Sequence, residues 1–423
     1  MNSTTQFARR RRLAVIAASA TLVGAALAIG AGWPASASVA PGRPAAVTRT
    51  AAVPAVPRYY VALNNPHNAA SRDQAVVGDT LTGKRLATVS PPKGGTFGGL
   101  TGAADDRTFV LDVRQFPWSS TYFAVTPRTW YVLKIAPGTA HPTRLAKLRI
   151  PATPNGAQVD GMALSPDGGE LAVMYQPNAW GPAPGPVTLR IYSVATGTVV
   201  HTWVGPTPDP RGPGDYLFGQ YLYLDDNATL SWTADGRSLA FVYGAGLITD
   251  TTVRMLKLTG SGHGLLAGSK PVLDLKPGSA PDCGSLLVTA NGRTVVCGAA
   301  LAAGRGSAGR GSTGGGSTGG GSTGGCSAAT GLARPGIAEY STATGRLTGA
   351  VYQYTGTCVA GRADVLWANS SGRAVLGYLG ITQQLKRPSP VGKYQVGIFA
   401  GGTFRPLSVK TAGGTPSAAT IAF

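Results

Sequence analysis

The residue types that most often carry chemistry are few and scattered in this sequence. Its four histidines share no spacing that places two of them on one metal ion; they are His67, His141, His201 and His263. Only two glutamates occur, Glu170 and Glu339. Paired carboxylates for glycoside hydrolysis would therefore have to be aspartates that lie far apart in the sequence and converge in the fold. We expect each histidine to be structural or solvated.

Three short stretches match functional patterns only formally. Gly304–Gly309 fits the dinucleotide-binding pattern G-x-G-x-x-G, and Gly315–Gly319 fits the nucleophile pattern G-x-S-x-G. Both patterns need a strand before them and a helix after them, whereas these matches fall in Gly/Ser-rich sequence. Asp225, Asp226 and Asn227 form the densest acidic site, for which a turn is favoured over a calcium site. We predict no catalytic motif, no metal and no cofactor.

The elements that would have to position any site are best defined by a repeated turn. Leu164–Val173 reads LSPDGGELAV, which predicts a strand, a tight turn and a second strand. Pro166 presets φ for a turn, Asp167 can bond its own backbone, and Gly168 tolerates positive φ. Similar turns recur around positions 106, 236, 292 and 372. Recurrence at intervals of about 60 residues indicates an array of supersecondary units.

A second kind of hairpin alternates with the first and gives the number of units. Its turns contain the glycines Gly83, Gly138, Gly197, Gly260, Gly345 and Gly402. Four antiparallel strands per unit form the blade of a β-propeller. Since the first unit lacks an opening strand, the C-terminal residues Ala418–Phe423 can supply it beside Tyr59–Leu63 and close the ring. We predict an all-β, six-bladed propeller over residues 58–423, with seven blades as the alternative.

One interval between turns is longer than the others. Residues 303–333 account for the excess and contain three copies of the sequence Gly-Ser-Thr-Gly-Gly, beginning at Gly311. This composition cannot bury a core, so we predict a flexible insertion between the second and third strands of the fifth blade.

The N-terminal segment has the composition of an export signal. Four arginines at positions 9–12 precede an apolar run, residues 13–30, and the small residues Ala35-Ser36-Ala37. We predict a signal peptide over residues 1–37 that is cleaved after Ala37, followed by an Ala/Pro-rich spacer at 38–57. Because the apolar run approaches spanning length, the alternative is an uncleaved anchor that tethers the protein to a membrane.

The stretches LSPDGGELAV and WTADGRSLAF, with the following IYSVATGTVV, resemble the WD-repeat-like propellers of the TolB type. The resemblance covers roughly residues 59–423 and is most specific at Asp167-Gly168 and Asp235-Gly236. It implies a propeller that binds or scaffolds other molecules. The family has no shared catalytic residues that could be transferred to this chain, and the fold hosts unrelated functions.

Aromatic residues in predicted loops are the best candidates for a binding surface. Trp118 and Tyr122 follow the inner hairpin of the second blade, and Trp180 follows that of the third. Loops at equivalent points of adjacent blades emerge on one face, where exposed rings suit stacking on sugars or a protein contact. The alternative is that these rings pack between blades.

The four cysteines predict two disulfides, because an even number in an exported chain favours pairing. We expect Cys283–Cys297 across one hairpin of the fifth blade and Cys326–Cys358 tethering the insertion. The alternative pairs Cys297 with Cys326 and Cys283 with Cys358.

The formal net charge is +19, or +15 without the four leader arginines, and would attract the exported chain to anionic surfaces. A basic bias of the whole proteome is the favoured explanation of this charge. No cluster of lysine and arginine beyond the leader suggests a nucleic-acid site. We therefore expect an extracellular or envelope-bound monomer that binds an envelope protein or an anionic cell-surface polymer without catalysis. The alternative is a propeller hydrolase or lyase with a site in the central channel.

Overall fold

Strands make up the regular structure of this chain. The computed structural model describes residues 56–63, 74–115, 126–136, 145–178, 185–206, 230–245, 250–260, 264–275, 283, 285–302, 333–354, 359–383, 391–409 and 421–423. All of these residues belong to one unit, Val53–Phe423, and none of them is helical. Across these ranges no helix is long and apolar enough to span a membrane. The predicted leader lies outside them.

The strands of the first three blades follow the predicted order. The first blade contains β1 (Tyr59–Leu63), β2 (Ala75–Asp79), β3 (Arg85–Val89) and the C-terminal strand β24 (Ile421–Ala422). The second contains β4 (Gly95–Gly102), β5 (Thr108–Gln115), β6 (Arg128–Lys134) and β7 (Ala146–Lys147). The third contains β8 (Gln158–Leu164), β9 (Glu170–Gln176), β10 (Thr188–Ser193) and β11 (Val199–Val204).

The remaining three blades repeat the same antiparallel arrangement. The fourth contains β12 (Leu230–Trp232), β13 (Ser238–Ala245), β14 (Asp250–Lys257) and β15 (Ser269–Leu275). The fifth contains β16 (Ser285–Val288), β17 (Thr294–Ala302), β18 (Ala333–Ser341) and β19 (Leu347–Gln353). The sixth contains β20 (Val359–Ala368), β21 (Ala374–Gln383), β22 (Val391–Ala400) and β23 (Thr403–Pro406).

The two ends of the chain close the ring. Ala422 pairs with Val61 and Ile421 pairs with Ala62, so β24 is the innermost strand of the first blade. The ring of Phe423 packs against Tyr60 with 6.3 Å between ring centroids. Six four-stranded sheets therefore form the described propeller, which confirms the predicted six blades and excludes seven.

The core lies between neighbouring blades because alternate residues of a strand point to opposite faces of its sheet. In β9, Leu171 and Val173 pack with the second blade, while Ala172 and Met174 pack with the fourth. Similar clusters of buried side chains fill the other interfaces between adjacent blades. Each apolar face is thus covered by the next blade, which explains why alternating strand patterns can produce a closed ring.

One predicted hairpin has a longer connection than the tight turn expected at its glycine. The backbone takes positive φ at Gly83, Gly197, Gly345 and Gly402, as tight turns require. Gly260 does not, because β14 ends at Lys257 and β15 begins only at Ser269. The intervening chain carries the buried Leu265, whose amide donates to the carbonyl of Val204 in the third blade. Gly138 lies outside the described residues.

The predicted insertion falls between β17 and β18 of the fifth blade. Its last predicted residue, Ala333, already belongs to β18 and pairs with Ala302 at the end of β17. Residues 303–332 lie outside the described part of the chain.

Candidate functional site

The inner strands of all six blades, β4, β8, β12, β16, β20 and β24, line one cavity in the centre of the ring. Its volume is about 240 Å³. The cavity lies on the side of the ring that carries the turns at positions 106, 168, 236, 292 and 372. We call this side the turn face. The opposite side, where β5 ends at Gln115 and β9 ends at Gln176, is the loop face. Among the described residues that line the cavity, none has an ionisable side chain.

The few polar groups of the cavity wall tie the blades together. The hydroxyl of Thr101 accepts a hydrogen bond from the amide of Leu164 in the next blade, at 3.2 Å. Ser231 accepts in the same way from the amide of Val288, at 2.9 Å. The indole of Trp232 donates to the carbonyl of Ala163, at 3.0 Å. These bonds satisfy backbone groups at the channel edge, so they position the wall.

The turns that surround the turn face are held by a repeated side-chain network. In the third blade, the hydroxyl of Ser165 donates to Asp167 at 2.6 Å and accepts from the amide of Glu170 at 2.8 Å. The hydrogen bonds from Ser165 and from the amide of Gly169 hold the pKa of the Asp167 carboxyl below its usual range. The fourth blade has the same arrangement, in which the hydroxyl of Thr233 lowers the pKa of Asp235. These carboxylates accept hydrogen bonds within their own turns, so their role is structural.

The second blade replaces the turn glycine by Asp106, and the structure gives a reason. Asp106 has φ of 53°, in a region that non-glycine residues rarely adopt. Its carboxylate accepts a hydrogen bond of 2.6 Å from the amide of Arg58 in the first blade. Arg58 and Arg107 lie over the ring of Tyr59, at 5.2 and 5.0 Å from its centroid. The side chain thus joins two blades where the other turns have only glycine.

A buried ion pair lies toward the loop face of the second blade, and sequence reasoning missed it. The guanidinium of Arg128 donates to Oδ2 of Asp112 at 2.6 Å, and the two side chains are 3% and 0% exposed. Oδ1 of Asp112 lies against the α-carbon of Gly98, beside the guanidinium of Arg114, and has no hydrogen-bond partner. No local pattern signals this pair, because its members lie on different strands.

Three further carboxyl groups are buried or half-buried on other strands, β8, β18 and β20. Asp160 in β8 and Asp364 in β20 are buried on inner strands, and each has a polar partner. Burial raises the pKa of the Glu339 carboxyl, an effect that the nearby Arg373 partly offsets. Among the described residues, no group of three or more His, Cys, Asp or Glu side chains could hold a metal ion.

The predicted aromatic surface lies outside the described residues, because Trp118 and Tyr122 fall in 116–125 and Trp180 falls in 179–184. The strands that flank these segments end on the loop face, in adjacent blades. Trp130, which follows the first segment, packs between the second and third blades, and its indole donates to the carbonyl of Pro151 at 3.2 Å. Asp225-Asp226-Asn227 also lie outside the described residues.

The cysteines are partly described. Cys283 and Cys297 form a disulfide, with 5.0 Å between their α-carbons. This is the predicted pair across the first hairpin of the fifth blade, and it excludes the alternative connectivity. Cys326 and Cys358 lie outside the described residues. A disulfide is consistent with an exported protein.

Comparison with known proteins gives structural likenesses only. No family model matches the chain, and no curated protein matches its sequence. The periplasmic gluconolactonase of Pseudomonas aeruginosa is 14% identical, with 86% of this chain and 99% of that one covered and a TM-score of 0.44. TolB of Acinetobacter baumannii is 15% identical, with 83% and 68% covered and a TM-score of 0.35.

A dipeptidyl aminopeptidase IV homologue from Bacteroides ovatus is 10% identical, with a TM-score of 0.37. The match covers 82% of this chain but only 46% of that protein, so this chain spans less than half of its length. Similarity at this level of identity is a similarity of the propeller fold. It says nothing about the activity of this chain.

Proposed function

We propose that this chain is an exported propeller of the TolB-like, WD-repeat-like kind that binds an envelope protein or an anionic cell-surface polymer without catalysis. The observation that carries the proposal is the channel cavity, whose described lining has no ionisable side chain. General acid–base catalysis needs such a group within hydrogen-bond reach of the substrate. The formal net charge is +19 with the leader and +15 without its four arginines, which supports an anionic partner.

We assign the contact surface to the loop face, through Trp118, Tyr122 and Trp180. Loops on a rigid scaffold carry binding function disproportionately, and the strands that flank these loops are fixed by buried packing and by the Asp112–Arg128 pair. Aromatic rings there supply a large contact area for sugars or for a protein. A monomer can form this contact surface, because the segment with Trp118 and Tyr122 and the segment with Trp180 belong to adjacent blades of one chain.

The test is co-sedimentation of the mature chain, residues 38–423, with purified envelope and with purified anionic wall polymer. We expect the wild type to pellet, and the double variant Trp118→Ala/Trp180→Ala to remain in the supernatant. Leu81→Ala is the matched control, because Leu81 is 61% exposed in a turn on the other face. Loss of pelleting at high salt points to the polymer, and loss after protease treatment of the envelope points to a protein. Equal pelleting of the double variant contradicts the assigned surface.

A second candidate function, a hydrolase or lyase, is favoured by one observation. Asp160 and Asp364 are buried on the inner strands of the third and sixth blades, and such carboxyl groups could supply general acid–base chemistry. The mature chain would then cleave glycosidic or ester bonds in envelope material, and Asp160→Asn or Asp364→Asn would abolish the activity. Asp274→Asn, on the outer strand β15, is the control. Absence of turnover in the wild type rejects this candidate and leaves the binding proposal intact.

A further inference from the structure

The turn-face end of the channel is a preformed cavity lined mainly by apolar side chains, distinct from the proposed loop-face surface. The lining includes large apolar side chains, among them Trp232, Leu287, Leu366 and Trp367. It also includes small residues, among them Gly102, Ala103, Ala163 and Ser231. Leu287, Leu366 and Trp367 are only half-buried. Bulky apolar groups of the wall therefore still have surface to cover.

Polar side chains in this wall already have hydrogen-bond partners. The indole N–H of Trp232 is used by the carbonyl of Ala163, and the hydroxyl of Ser231 accepts from the amide of Val288. No cationic side chain among the described lining residues could neutralise an anionic ligand. Burying an unpaired charge is far more costly than burying an apolar group. The cavity therefore selects a neutral, largely apolar ligand.

Its size limits the ligand further. Apolar cavities of about 150 Å³ stay dry and bind benzene in other proteins. The present volume of about 240 Å³ leaves room for a second fused ring. Contact between aromatic rings stabilises a complex beyond the effect of the buried area alone. Trp232, Trp367 and Phe423 are the aromatic residues of the lining.

We propose that the turn-face end of the channel binds a neutral aromatic molecule of one or two fused rings, in contact with Trp367. This site does not depend on the proposed envelope binding, because it lies on the other face of the ring and uses no loop residue.

The experiment measures binding of indole to the mature chain, residues 38–423, by equilibrium dialysis. Indole-3-acetate is the matched charged probe and cyclohexanol the matched non-aromatic one. We expect indole to bind and indole-3-acetate to bind at least about tenfold more weakly, because the cavity has no partner for a carboxylate. Cyclohexanol should bind about two- to tenfold more weakly than indole, since it cannot stack.

Two variants locate the site. Leu287→Trp fills the cavity and should weaken indole binding about tenfold or more, because the ring loses its space. Trp367→Leu keeps the wall apolar and should weaken indole, but not cyclohexanol, about two- to tenfold. Leu81→Trp, which adds an indole on the same face outside the cavity, should change nothing. Thermal unfolding verifies that each variant folds, and Leu366→Trp replaces Leu287→Trp if that chain does not.

The outcomes separate the possibilities. No indole binding by the wild type, or equal binding by both cavity variants, overturns the site. Equal affinity for indole and indole-3-acetate overturns the neutral class, and equal affinity for cyclohexanol overturns the aromatic class. Co-sedimentation with envelope stays unchanged in all cavity variants, so failure of one proposal is distinguishable from failure of the other.

Discussion

The guanidinium of Arg128 donates a hydrogen bond of 2.6 Å to the carboxylate of Asp112, and at most 3% of either side chain is exposed. The two residues lie on β5 and β6, the strands that flank the segment with Trp118 and Tyr122. A buried charge without its partner is costly. The geometry of the loop-face end of the second blade therefore depends on these two side chains.

Removing one member of this pair should destabilise the protein strongly. We expect Arg128→Met to lower the free energy of unfolding by about 3–5 kcal/mol, since it leaves the Asp112 carboxylate buried without that partner. The double variant Asp112→Leu/Arg128→Met should recover most of the loss. Urea unfolding measures both, with Arg405→Met on the exposed part of β23 as the control. A loss below about 1 kcal/mol in the single variant would mean that the pair behaves as a surface ion pair.

Two turn glycines at equivalent positions should respond differently to alanine. Gly236 has φ of 66° with no atom within 4 Å of a Cβ position, so Gly236→Ala should cost only the backbone strain, about 1–2 kcal/mol. Gly372 has φ of 76°, and its Cβ would lie 2.9 Å from Cγ2 of Thr289 and 3.1 Å from Oε1 of Glu339. Gly372→Ala should therefore cost more. Equal midpoints in urea for the two variants would contradict the close approach of the fifth and sixth blades.

The loss of stability at low pH should depend on the carboxylates in the turns. The pKa of Asp167 is lowered in the folded state, so its contribution is fully present above about pH 3.9 and is lost as the pH falls through the folded value. Asp167→Asn keeps the turn, because Asn291 makes the same contacts with Thr289 and Arg293 in the fifth blade.

We therefore expect Asp167→Asn to have little effect at neutral pH and a flatter decline in thermal stability below about pH 4. Asp274→Asn on the outer strand β15 controls for the change in net charge. Identical acid declines in wild type and Asp167→Asn would show that the turn does not contribute to acid sensitivity.

Ring closure by the C-terminal strand should be essential for stability. Ile421 and Phe423 are buried between the first and sixth blades, and Ala422 is buried between the first and second. Deleting residues 417–423 should lower the free energy of unfolding by at least about 3 kcal/mol, because it removes two large apolar side chains from the core and exposes the edge of β1. Phe423→Ala should have a smaller effect of the same sign. A truncated chain that unfolds at the wild-type urea concentration contradicts this role.

The second disulfide stays a prediction that peptide mapping can test. Because Cys283 is joined to Cys297, full oxidation of the mature chain requires Cys326 to pair with Cys358. Non-reducing digestion should yield one linked peptide pair that contains these two residues. Cys358→Ser should then release one titratable thiol. Two free thiols in the wild type would exclude the bridge.

Much of the fold follows from local sequence. The turn at Asp167-Gly168 is specified by residues within one short segment, and its repetition predicts blades without any long-range contact. Counting two kinds of hairpin predicts that the C-terminus completes the first blade. Gly260 shows the limit of this approach, since the burial of Leu265 against the third blade overrides a plausible local turn.

By itself, then, the sequence determined the strand order, most of the turns, the number of blades and the pairing of the chain ends. Only the tertiary structure decided that Asp112 meets Arg128, that Asp106 bonds Arg58, and that Trp232 and Trp367 face one cavity. The physical reason is that turn and strand preferences act over a few neighbouring residues. A buried ion pair or a cavity wall joins residues from different strands or blades, and their distances are set only when the blades pack and the ring closes.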